Sequence, residues 1–102
     1  MTVWIIVYIV IRMNFTWDES KRTTNRKKHG MDLAAAATAF TGHTFTFEDR
    51  RFAYGEHRFI TLGLLGVTVV VIAHTETSDT IHVISLRKAD KHEQRHYYQQ
   101  VG

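Results

Sequence analysis

Between Arg58 and Leu86 three runs of β-favouring residues follow one another, 58–64, 67–74 and 80–86, separated only by Gly66 and by the Ser78-Asp79 pair. Connections this short join antiparallel neighbours, so the three runs read as a meander. From Val67 to Ile72 the middle run is apolar at nearly every position. A strand with one wet face alternates, whereas a strand without alternation is covered on both faces. The rest of the chain must therefore supply cover for two sides of a sheet.

The flanking segments read as that cover. Asp18 is suited to cap a helix that opens on Glu19, Lys21 and Arg22 and stops at His29-Gly30, where glycine accommodates a left-handed terminus. It has little apolar periodicity and is expected to be short and largely solvated. Asp32 caps a second helix over 33–40, with Leu33, Ala36, Ala37 and Phe40 at i, i+3, i+4 and i+7 spacing, and Gly42 ends it. Residues 44–47 form a short strand or an extended link, 48–51 a charged turn and 54–57 a further turn. Residues 87–100 return to helix, anchored by Ala89 and Tyr97 with Tyr98 beside them. The fold class is α+β, a compact antiparallel β-sheet with packed α-helices.

The opening run, 3–11, is apolar and rich in β-branched and aromatic residues, and it is far shorter than the roughly 20 residues of a membrane-spanning helix. It carries no basic leader and no small-residue cleavage site. Residues 1–12 thus read as an apolar N-terminal extension or edge strand, with the single domain over 13–102. Its lack of alternation calls for burial on both faces, an interface, or a true start at Met13.

There is no cysteine, which removes disulfide frameworks, thiolate nucleophiles and sulfur-rich metal sites and fits a cytoplasmic origin. The net charge is only +3, but it is unevenly spread. Lys21, Arg22, Arg26, Lys27 and Lys28 stand against Glu19 alone, and Arg87, Lys88, Lys91 and Arg95 against Asp90 and Glu93. Two basic segments flank a nearly neutral middle, which suits a polyanion or an acidic partner.

His92-Glu93-Gln94-Arg95-His96 matches the local pattern H-E-x-x-H of zinc proteases. Zinc also needs a third ligand, and no His, Asp or Glu follows His96; His57 or His74 would have to come from upstream. Two surface histidines on a terminal helix is the stronger reading, and no metal or cofactor is expected. Gly55, Gly63 and Gly66 make no phosphate loop.

Arg58, Arg87 and the Lys27-Lys28-His29 segment are more informative. Cleaving RNA without metal requires activation of a 2′-hydroxyl, stabilisation of a phosphorane and protonation of the leaving oxygen. Guanidinium forks match phosphoryl oxygens, and imidazole is the side chain that moves protons near neutrality. Arg58 and Arg87 are therefore the candidate phosphate clamp and His29 the candidate base or acid, with Glu56 orienting a basic partner. Lys27, Lys28, Lys88 and Arg95 are candidate RNA contacts. Tyr97 suits either packing or an RNA contact. An ordinary solvated basic face explains the same residues without chemistry. Arg58 begins one outer strand of the meander and Arg87 follows the other, so a shared site needs a twisted sheet, a long reach or a groove crossing it.

Several ordered pieces carry a resemblance: Phe15, Trp17, Asp18 and Lys21; Asn25 with Lys28-His29-Gly30; the alanine-rich helix ending in Phe40; Arg51; Tyr54-Gly55-Glu56 with Arg58; Gly63; Ile84-Ser85 with Arg87 and Ala89; and Glu93, Arg95 and Tyr97. In this order and spacing the chain resembles the BrnT family of bacterial toxins, partners of BrnA antitoxins within the RelE-like ribonuclease group. The resemblance implies a RelE-like fold and metal-independent endoribonuclease action on RNA that inhibits translation and growth. It implies a tightly bound BrnA-like antitoxin that links the toxin only indirectly to operator DNA, and no membrane partner. Lys28, His29, Glu56, Arg58, Arg87 and Tyr97 match family motif positions. His82 stands where the motif before Ile84-Ser85 usually has arginine, and Leu86 where it has alanine. The other reading is a noncatalytic module that engages an antitoxin-like protein or nucleic acid through the same basic surface.

Overall fold

The structure, a computed structural model, describes residues 13–101. The apolar run 3–11, and with it the extension 1–12, lies outside the described residues. Five strands form one sheet: β1 (Asn14–Trp17), β2 (Phe45–Asp49), β3 (Arg58–Leu65), β4 (Thr68–Glu76) and β5 (Thr80–Lys88), in the spatial order β1-β5-β4-β3-β2. The meander β3-β4-β5 is antiparallel as expected, with Gly66 turning at φ 61°. β2 adds an antiparallel edge, while β1 pairs parallel to β5 at the other edge. Sequence reading left Asn14–Trp17 unassigned, because four residues without a turn before the next helix carry little strand signal.

Helix α1 (Glu19–His29) starts where Asp18 accepts from Ser20 and Lys21 N–H and stops at Gly30 with φ 69°. A 3₁₀ turn (Leu33–Ala35) capped by Asp32 then runs into α2 (Ala36–Ala39). The tighter pitch of the 3₁₀ turn moves the buried stripe to Leu33, Ala36 and Ala39, so Ala39 takes the place expected of Ala37. The last helix, α3 (Lys91–Val101), begins later than expected, because Arg87 and Lys88 still belong to β5. Asp90 accepts from Glu93 N–H at 2.8 Å and donates its own N–H to Glu93 Oε1 at 3.0 Å, a reciprocal cap that fixes the start.

β4 is covered on both sides, as its apolar run requires. Val70 and Ile72 join Leu33, Ala36, Ala39, Ile81, Val83 and Leu86 on one face. Val69 and Val71 join Ile60, Leu62, Ala89 and Tyr97 on the other. The first is the α2 face and the second the α3 face. At Gly63 a Cβ would stand 3.3 Å from Thr44 Cγ2 and 3.4 Å from the Ala39 carbonyl, so glycine here lets α2 sit close. Among the described residues, no helix is long and apolar enough to cross a membrane.

Candidate functional site

Register decides which side chains share the α3 face. β4 pairs Val71 with Arg87, Ala73 with Ser85 and Thr75 with His82, and a bulge at Ile84 adds one residue to β5 between the last two. Arg87, Ser85 and His82 therefore point to the same side, although His82 and Arg87 are an odd five positions apart. On β3 the alternation through Leu62 and Ile60 brings Arg58 to that side as well, opposite Asp49 of β2. The face thus carries two polar rows. One runs Asp49, Arg58, Thr75, His82, Thr16 across all five strands, and the other contains Arg87 beside Val71.

Arg58 and Arg87 thus share a face but not a row. Thr75 and Val71 are four residues apart on β4, which puts about 13 Å along the strand between the rows. α3 covers the Phe45 side of the face, where His96 packs on Phe45 with ring centroids 5.1 Å apart. Beside it a groove of about 260 Å³ stays open, lined by Phe47, Ile60, Val71, Arg51, Arg87 and Glu93 among others.

The guanidiniums on this face are held by carboxylates. Arg87 donates twice to Glu93, both bonds at 2.8 Å, which raises the guanidinium pKa and lowers that of the Glu93 carboxyl. Arg51 donates twice to Asp49, at 2.8 and 2.9 Å, and the Tyr54 hydroxyl adds a bond at 3.0 Å. These hold the buried Asp49 carboxyl well below the usual range, Arg51 first. Arg58 lies 4.1 Å from the centre of the Tyr54 ring and donates from Nε to Glu56 at 3.3 Å. This stacking and pairing orient the guanidinium while leaving part of it in solvent.

Of the other expected site residues, Tyr97 is buried and its hydroxyl donates to the His43 carbonyl at 2.8 Å, which ties α3 to the chain before β2. His29 ends α1 and is half-buried; among the described residues it shares no hydrogen bond with Arg58, Arg87, Glu56 or Tyr97. Lys27 and Lys28 are exposed beside it on the last turn of α1, Lys88 is exposed at the end of β5, and Arg95 is exposed on the outside of α3. Glu93 of the H-E-x-x-H match caps α3 and holds Arg87, and among the described residues no three His, Cys, Asp or Glu side chains gather round one ion position.

In the sequence Arg51 and Tyr54 stand only among the pieces that carry the resemblance, and His82 only as a departure from a motif arginine; none of the three is expected in the site. The turn 48–57 gave no sign that Tyr54 would underlie Arg58. For His82 the bulge was the missing fact, since strict alternation puts residues 82 and 87 on opposite faces.

The matched family bears on all of this. A family model described as the ribonuclease toxin BrnT of type II toxin–antitoxin systems matches residues 17–93, from the last residue of β1 to the first turn of α3. Comparison with individually curated proteins gives no significant match. The family match takes in both arginines, the turn that holds Arg58, the α1 terminus and the Glu93 cap, so the chain belongs to the BrnT family of type II toxin–antitoxin ribonuclease toxins.

Proposed function

We propose that the chain is the toxin of a type II pair and a metal-independent endoribonuclease that binds RNA on the open part of the α3 face. The observation that carries this reading is the presence of Arg58 and Arg87 on one face of the sheet, where Arg87 lines a groove that α3 leaves uncovered. Two guanidiniums there offset charge that grows on phosphoryl oxygens, and a substrate crossing from one row to the other meets both. Lys27, Lys28, Lys88 and Arg95 add long-range attraction for the RNA backbone. His29 and Tyr97 stand outside this arrangement of hydrogen bonds; Tyr97 serves it by holding α3 in place. The partner is a BrnA-like antitoxin that covers the basic surface, with operator DNA reached through the antitoxin.

The test is cleavage of a defined RNA by purified, antitoxin-free protein in a chelator. Arg58→Ala and Arg87→Ala lower single-turnover cleavage by roughly tenfold to a thousandfold, equivalent to about 1.4 to 4 kcal/mol, and lysine at either position rescues only in part. Thermal melts of the same variants separate chemistry from folding, which matters for Arg87 because Glu93 also caps α3. The carboxylate pairing of Arg51, Arg58 and Arg87 favours a second reading, a binding module without catalysis. Wild-type protein that binds RNA or antitoxin and leaves the RNA intact establishes that second reading in place of the first.

A further inference from the structure

His82 is the imidazole in the polar row of the α3 face that carries Arg58. It is half-buried on β5, between Thr16 of β1 and Thr75 of β4. Thr16 Oγ1 lies 2.8 Å from His82 Nδ1. In the tautomer whose Nδ1–H donates to that hydroxyl, Nε2 carries the lone pair, and among the described residues Nε2 makes no hydrogen bond. The register that pairs Phe59 with His74 brings Arg58 beside Thr75, and Thr75 pairs with His82. Arg58 and His82 are thus two strand spacings apart, about 10 Å between backbones, with the short side chain of Thr75 as the floor between them.

We propose that His82 is the general base of RNA cleavage on this face, its Nε2 taking the proton of a 2′-hydroxyl while Arg58, across Thr75, binds the phosphate under attack. The inference rests on the ribonuclease reading above and assigns its proton transfer. The 2′-oxygen forms a bond to phosphorus as its proton passes to Nε2, the bond from phosphorus to the 5′-oxygen breaks, and the departing oxygen takes a proton from water. The products are a 2′,3′-cyclic phosphate and a 5′-hydroxyl, and the imidazolium returns its proton to the hydroxide left behind. Thr16 is a positioning residue, since its hydroxyl fixes which nitrogen faces the substrate. The charged groups on the row are Arg58, which Glu56 pairs and Tyr54 stacks, and Asp49, which Arg51 neutralises. Arg58 is the charged group nearest the imidazole along the row.

The experiment is single-turnover cleavage of one RNA between pH 5 and 9 by wild-type, His82→Ala, His82→Gln and Thr16→Val proteins, each checked by thermal melt. The assay is paired with binding of a 2′-deoxy analogue that cannot be cleaved. Both His82 variants cut about a hundredfold or more slowly and lose the acidic limb of the pH profile, while analogue affinity stays within about threefold. Added imidazole restores part of the rate to His82→Ala, which a purely structural histidine would not allow. Thr16→Val shifts the acidic limb without abolishing cleavage, and this arm decides the matter if the His82 variants fail to fold. Wild-type protein that does not cleave removes the ribonuclease reading and this inference together. Cleavage by wild type with an unchanged pH profile in His82→Gln, or with the limb lost only in His29→Gln, overturns the inference and leaves the ribonuclease reading standing.

Discussion

Asn25 does for the open edge of β5 what another strand would do. β1 pairs with β5 only as far as Trp17 opposite Val83, after which the chain turns away into α1. The next outward-facing peptide groups on β5 belong to Leu86, and Asn25 meets both of them. Its Oδ1 accepts from Leu86 N–H at 3.1 Å, and its Nδ2 donates to the Leu86 carbonyl at 2.8 Å and to the Met31 carbonyl at 2.9 Å. A carboxamide has donors and an acceptor in the spacing of a peptide group, so this residue alone satisfies the edge from within a helix. Asn25→Ala leaves Leu86 N–H and C=O buried without partners and lowers unfolding free energy by roughly 2 to 4 kcal/mol in urea titration. Asn25→Asp keeps the acceptor but loses both donated bonds and sets a carboxylate against two carbonyls, so it destabilises at least as much. Stability within about 0.5 kcal/mol of wild type in Asn25→Ala would show that the edge finds other partners, a margin typical of substitutions that touch nothing.

Elements on the two faces meet the sheet by different means, and glycine marks the difference. α2 is a single turn of three alanines and Thr38 whose backbone approaches β3 at Gly63, so its packing depends on the absence of a Cβ there. In a strand interior, alanine ordinarily improves on glycine by restricting the unfolded chain, so the sign of Gly63→Ala tests the contact directly. With Thr44 Cγ2 and the Ala39 carbonyl within 3.4 Å, the added methyl pushes α2 outward, and Tm falls by an amount corresponding to about 1 to 3 kcal/mol. A raised Tm would mean that α2 yields freely. The same contrast explains what was legible in the sequence. The meander could be read because Gly66 and Ser78-Asp79 punctuate three β-branched runs, and α1 because Asp18 and Gly30 bracket it. The phase shift at Ala36 and Ala39 and the bulge at Ile84 could not, since each depends on how one element docks on another. Arg58 and Arg87 were found through their chemistry, and their common face only through the register.

For the molecule as a whole, these placements make acid the condition that tests the fold in stages. His74 lies inside the α2 face with no exposed surface, its Nε2 2.7 Å from Thr61 Oγ1, which in turn lies 2.7 Å from Thr46 Oγ1. Among the described residues its Nδ1 makes no hydrogen bond, and the rings of Phe40 and Phe59 pack against the imidazole. Burial pushes the imidazole down to about 4, against about 6.5 for a solvated histidine. Because the folded state resists the proton that the unfolded chain accepts, the contribution is complete above about pH 6.5 and is lost as pH falls toward 4. The loss grows by about 1.4 kcal/mol per pH unit and reaches about 3 kcal/mol at the acid end. Glu76 Oε1 lies 3.4 Å from Nδ1, and burial raises its carboxyl, so any ion pair formed on protonation makes that figure an upper bound. A second stage follows below about pH 4, where Asp32, held low by Arg22, and Asp49, held low by Arg51, give up their partners as they take protons. Urea unfolding at half-unit steps from pH 7.5 to 3 shows a slope in wild type between pH 6.5 and 4 that His74→Gln lacks, while the steeper loss below pH 4 persists in both. Equal slopes in the two proteins through the upper window would remove His74 as its cause and place the whole acid response on the carboxylates.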